Sequence, residues 1–209
     1  MTQSLKEKNK VTLILIVSLN LVLLYALIGG IDIFSGESIE LFQQTQKLLL
    51  AGLGGGFVGV LNALVDAEIK AKIVFLRFAN PLPGSRAFNA DMLAKDSRIA
   101  PEMLRAKIGT VPSSPQQQNS LWYQIYKKHC EEISVIEAHK NFLFTRDYAV
   151  LSLIMIVVIS PLGFWLIPEI SIAMTYATII IIQFILAMIA ARNNGNRLVL
   201  TVLAIESTV

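Results

Sequence analysis

Hydrophobic positions gather into four long runs, Val11 to Gly29, Leu48 to Val65, Tyr148 to Leu166 and Ala173 to Ala191, and none of them contains a charged residue. A helix crosses about 30 Å of hydrocarbon with about 20 apolar residues. Each run is therefore predicted to be a membrane-spanning helix, the second at the short end of the range. The pattern predicts an all-α, integral membrane four-helix protein with a helical cytoplasmic domain inserted between the second and third spans. Its parts are a first hairpin over 1–65, the inserted segment over 66–147, a second hairpin over 148–191 and a tail over 192–209.

Within the inserted segment the second helix is expected to run on from Asp66 to Phe78. Ile69, Ile73 and Leu76, with Val74 and Phe78 beside them, make an apolar stripe among Lys70, Lys72 and Arg77. Two readings stand side by side: an interfacial helix lying on anionic lipid, or a helical stalk packed on the rest of the loop. Asn80-Pro-Leu-Pro-Gly-Ser-Arg86 breaks the pattern as a turn or short extended link. Pro101 to Ile108 reads as a short helix, with proline in the favoured first turn and Gly109 as its stop. Ser114-Pro-Gln-Gln117 reads as a capping box opening a helix to about Lys128. A second capping box, Ser134-Val-Ile-Glu137, opens a helix with no breaker before Pro161. That helix is expected to enter the third span as one rod of about 26 residues, or about 39 Å. Proline removes a backbone donor and clashes with the preceding turn. The rod is thus expected to kink or end near Ser160, with Gly163 to Pro168 forming an external corner and Trp165 in the outer aromatic belt. The apolar stretch Leu198 to Ile205 is too short to span and is expected to pack on the cytoplasmic core or the membrane surface, as a continuation of the fourth helix past Arg197.

Composition agrees with the pattern. The chain is 54% hydrophobic and 16% charged, with a mean hydropathy of +0.60, whereas an ordinary soluble domain carries about 25% charged residues. Charge then adds an orientation, because lysine and arginine favour cytoplasmic flanks. Lys6, Lys8 and Lys10 precede the first run, 12 of the 18 basic residues fall between Lys70 and Arg146, and Arg192 and Arg197 follow the fourth run. The loop 30–46 and the turn 167–172 hold no basic residue but carry Asp32, Glu37, Glu40 and Glu169; Lys47, at the mouth of the second run, is the exception. Both termini and the inserted segment are thus expected in the cytoplasm of a bacterial cell, with the protein multi-pass in the inner membrane. The first run is longer than the roughly 7–15 apolar residues of a signal peptide, so a retained anchor is expected rather than a cleaved leader. The net charge of +3 is spread as topology would spread it, not gathered on one face as in a nucleic-acid binder. A single cysteine, Cys130, leaves no intrachain disulfide.

Candidate chemistry is sparse. Gly52, Gly55, Gly56 and Gly59 recur at three and four residues on one face of the second run, and Asn62 extends it. Such a face lets two backbones approach closely. It serves either as a self-association seam or pore lining, or as a packing face against another span of the same chain. Asn20, Asn62, Gln183, Thr175 and Thr178 are expected to hydrogen-bond across helices. No ionisable residue lies inside a run, which argues against a coupled transporter. Trp122, Tyr123 and Tyr126, together with Leu121 and Ile125, form an aromatic face. With Arg86 these aromatics are the candidate partner-binding residues, since tryptophan, tyrosine and arginine dominate interface hot spots. The alternative is that the same face is the small core of the cytoplasmic helices. His129 and His139 are weak metal candidates, ten residues apart and on different predicted helices. No nucleotide, hydrolase or other catalytic motif is present, and no cofactor is expected.

In topology alone the chain resembles small four-span subunits of bacterial operons, including membrane components of phage-defence systems such as Kiwa. That resemblance implies a place in antiviral defence. The residues themselves favour a non-catalytic inner-membrane scaffold or sensor that forms a homo-oligomer in the lipid bilayer and recruits a cytoplasmic protein partner. The alternatives are an oligomeric pore-forming or membrane-disrupting effector lined by the Gly52–Asn62 face, and a membrane enzyme using the His129–His139 region.

Overall fold

A computed structural model of the chain describes residues 5–29, 36, 40, 43 and 53–208. It is all-helical, with no strand among the described residues. In chain order the helices are α1 (Leu5–Gly29), α2 (Leu53–Leu64), α3 (Ala67–Phe75), α4 (Ala90–Leu93), α5 (Pro101–Ile108), α6 (Pro115–His129), α7 (Ile133–Leu166) and α8 (Ile170–Thr208), with a 3-10 turn at Pro83–Arg86 before α4. Three of them are long and apolar enough to cross a membrane: α1 over Asn9–Gly29, α7 and α8. Residues 48–52 of the second apolar run lie outside the described residues, and α2 is its described part.

Contacts divide the chain into two compact units, the first from Met1–Asp66 and Arg146–Met188, the second from Ala67–Thr145 and Ile189–Val209. In the first unit α1, α2 and the adjoining lengths of α7 and α8 pack together. Its core gathers Leu24, Met155, Ile167, Ala173, Tyr176 and Ile180. The Tyr176 hydroxyl donates to the Asn20 carbonyl at 3.3 Å, and Gly163 brings α7 against the Tyr176 ring, where a Cβ would sit 3.4 Å from Cδ1. Of the groups expected to bond across helices, Gln183 of α8 does so with Tyr148 of α7, whereas Asn20, Thr175 and Thr178 bond within their own helices. Asn20 Nδ2 donates to Ile16 O at 2.8 Å, and Thr175 and Thr178 donate to Ser171 O and Met174 O. A carbonyl one turn back is always within reach, whereas a partner on another helix requires matched positions. Asn62 does reach across, donating to Asp147 Oδ2 at 2.9 Å.

The helix boundaries correct several expectations. α7 does not end near Ser160: it runs through Pro161 to Leu166, 34 residues in all. One missing donor costs less than opening the helix in an apolar span, where every freed backbone group would lack a partner. The corner shrinks to Ile167–Glu169, closed by the amide of Ile167 on Gly163 O and opened again by Glu169 O accepting from Ile172 and Ala173. The second helix does not run unbroken to Phe78, since residues 65 and 66 separate α2 from α3, and α3 stops at Phe75. Leu76 beyond it takes a φ of 50°. The capping box at Ser114 is not formed. Ser114 is the N-cap residue of α6, yet its hydroxyl donates to Gln116 Oε1 at 2.9 Å and makes no cap bond. Ser134 is not a cap either, because α7 already begins at Ile133. Gly109 ends α5 as expected, at φ 68°, where a side chain would be strained.

α8 continues for 39 residues, about 58 Å, and its last turns enter the core of the second unit. Leu198, Val199, Leu200, Val202 and Leu203 are buried there, along with Val74, Leu104, Ile125 and Val135. Phe75 and Phe142 pair at 6.3 Å between ring centroids. Gly195 lies against both rings, so that a Cβ on it would come within 2.8 Å of Phe75 Cζ and 3.0 Å of Phe142 Cε2. Gly195→Leu is therefore expected to destabilise the protein by about 1–3 kcal/mol, read as a lowered thermal unfolding midpoint in mild detergent. An unchanged midpoint would contradict this packing.

Candidate functional site

Polar and aromatic groups of the second unit collect around α6. The turn Pro83–Arg86 packs on this helix. It is fixed by the Ser85 hydroxyl, within 2.9 Å of Asn80 O and 2.6 Å of Leu82 O. Gly84 lies so close to Trp122 that a Cβ would meet ring atom Cε3 at 2.9 Å. Trp122 stacks on Tyr126 at 5.6 Å, and Tyr123 on Tyr126 at 5.9 Å. The Tyr126 hydroxyl meets His139 Nδ1 at 2.9 Å, with the two rings edge-on. Burial is the main cause that pushes the Tyr126 phenol above its ordinary pKa. Tyr123 is 49% exposed, with the Lys127 ammonium 5.3 Å from its ring centre.

The aromatic face thus divides. Trp122 is turned to the 3-10 turn and Tyr126 to His139, both as internal packing, while Tyr123 faces outward. Arg86 lies over the Phe75 ring at 5.2 Å. Burial first, and then Arg77, hold its guanidinium below the ordinary arginine value. The two histidines take separate partners: His139 has Tyr126, and His129 Nε2 lies 2.6 Å from Glu206 Oε2. Among the described residues no three of His, Cys, Asp and Glu gather as a metal site would require.

Glu206 is the residue that sequence reading missed. It stands near the end of α8 and is met by three cationic or titratable side chains from α5 and α6. Lys128 Nζ reaches its Oε1 at 3.1 Å and His129 its Oε2, while Lys107 Nζ donates to its backbone carbonyl at 2.9 Å. Donors and positive charge at a helix C-terminus satisfy its free carbonyls and oppose the helix dipole. The signal in the sequence was one acid directly after the apolar stretch Leu198 to Ile205. A second polar group was also missed, this time in the first unit. Arg146 Nε and Nη2 both donate to Asp147 Oδ1, at 3.0 and 2.9 Å, in buried surroundings, while Asn62 holds the other oxygen.

The seam residues of the second run fall unevenly. Gly52 lies outside the described residues, and Gly55, Gly56, Gly59 and Asn62 belong to α2. Among the described residues, a Cβ at Gly59 would meet nothing within 4 Å. Compared with known proteins, the chain matches no family model, no curated protein and no solved structure.

The Glu206 contacts carry a pH dependence. Burial raises the carboxyl pKa, but hydrogen bonds and charge from His129 and Lys128 outweigh it and hold Glu206 below its ordinary value. A carboxylate depressed by folding stabilises fully above its unfolded pKa, and this contribution is lost as pH falls through the folded one. The unfolding midpoint is expected to drop on acidification through the carboxylate range, and Glu206→Gln to flatten part of that drop. Parallel pH profiles for the two proteins would contradict the assignment.

Proposed function

We propose that this chain is a non-catalytic scaffold or sensor subunit of a bacterial inner membrane, which self-associates through α2 and recruits a cytoplasmic protein through its second unit. The observation that carries the reading is the face of α2 at Gly59, Val60 and Leu64, which no described residue covers. Among the described residues nothing lies within 4 Å of a Cβ at Gly59, and Val60 and Leu64 are 59% and 71% exposed. Lipid gives no hydrophobic drive for helices to associate, so a small residue on an open face counts through the close approach it allows a second backbone. A second copy of the same helix fits that face.

In this reading Leu48 to Val65 is the second of four spans, and the gathering of basic residues on one side of the spans favours a cytoplasmic place for both termini and the inserted segment. Tyr123 with Lys127 is the recruiting surface: an exposed tyrosine offers large contact area at small cost in rotamer entropy. The rest of the aromatic face serves as the support that holds it.

Gly59→Leu is the direct test. Native mass spectrometry of the detergent-purified protein is expected to show oligomers for the parent chain and a shift to monomer for the variant, with helix content unchanged. A parent chain that is strictly monomeric, or a Gly59→Leu variant that assembles equally well, would sink the seam.

A further inference from the structure

We propose that Leu76 and Phe78 insert, and Arg77 and Arg86 bind phosphate groups, at the surface of an anionic phospholipid bilayer. Phe78 is 89% exposed and Leu76 64%. Large apolar side chains in such positions protrude; they do not line a groove. The backbone that presents them is held and not loose. Leu76 and Asn80, on either side of Arg77-Phe78-Ala79, both occupy the left-handed region, at φ 50° and 49°, which residues other than glycine seldom adopt. Asn80 O in turn accepts from Ser85, inside the turn that ends at Arg86.

Charge completes the surface. Burial first, and then the charge of Arg77, disfavour the charged form of Arg86. Among the described residues neither arginine has a carboxylate partner. Two like charges beside exposed apolar side chains suit an anion that also offers hydrocarbon. An acidic protein would have to supply a pocket for Phe78, whereas the headgroup and acyl boundary receives a protruding ring anywhere. The chain also keeps a bilayer at hand, because α1, α7 and α8 are apolar enough to cross one. The proposal rests on that membrane-embedded reading and not on the recruitment of a partner.

The test uses the full chain in nanodiscs of phosphatidylglycerol and phosphatidylcholine, with phosphatidylcholine alone as the comparison. A nitroxide is attached at Ala79→Cys in a Cys130→Ser background, and a second sample carries it at Ile182→Cys in α8. Collisions with oxygen report lipid and collisions with a water-soluble nickel chelate report solvent. The expected result is oxygen contact at 79 in the anionic bilayer and a several-fold gain in nickel contact in phosphatidylcholine. Arg77→Gln with Arg86→Gln is expected to give the same gain in the anionic bilayer. Phe78→Ser, at a site too exposed to disturb folding, is expected to give it as well. Equal nickel contact at 79 in both bilayers would overturn the proposal. So would shielding from both reagents, which would mean that a protein covers this surface. Nickel contact at 182 would instead sink the membrane-embedded reading, and the proposal with it.

Discussion

A backbone surrounded by hydrocarbon has to satisfy its own hydrogen bonds, and the architecture depends on that constraint. It explains why α7 passes through Pro161, whereas α8 continues to 39 residues because its last turns are buried in the core of the second unit. Helices this long do not stop where their apolar runs stop. The start of α7 and the end of α8 supply part of the second unit's core, so the elements built for a bilayer also organise the segment between them. Gly195 and the Phe75–Phe142 pair show how closely that core is fitted. At the end of α8 the Glu206 carbonyl accepts from Lys107, and its carboxylate meets Lys128 and His129.

Apolar periodicity made the long helices legible, since a charge-free run of about 20 residues has few other uses. The short helix at Pro101–Ile108, with its stop at Gly109, was legible from local turn chemistry in the same way. Capping boxes failed because a serine hydroxyl has several acceptors within reach, and Ser114 takes Gln116 instead of the backbone. Pro161 does not end α7, because the cost of a break depends on the surroundings: in water a break exposes groups to solvent, while in lipid it strands them.

The candidate site was legible as residue types and not as pairings. That Trp122 and Tyr126 pack inward while Tyr123 faces out is decided by Gly84 and His139, which lie far from them in sequence or on another helix. Glu206 was invisible for a similar reason, its partners being 77 and more residues away. Left-handed Leu76 carries no sequence signal at all, and it turns an expected amphipathic stripe into a projecting pair of apolar side chains. What these features have in common is an outward address. The α2 face that no described residue covers, the exposed Tyr123 and the apolar residues flanked by arginine all suit a subunit that works by holding other molecules.

We propose that the chain crosses the membrane four times with its inserted segment in the cytoplasm. This arrangement is tested most directly by labelling single cysteines from outside intact spheroplasts with a membrane-impermeant maleimide, in a Cys130→Ser background. Cysteines at Ser38 and Glu169 are expected to label, and those at Ser113 and Thr208 to label only after lysis. Labelling at Ser113 from outside, or Ser38 protected together with Ser113, would contradict the account.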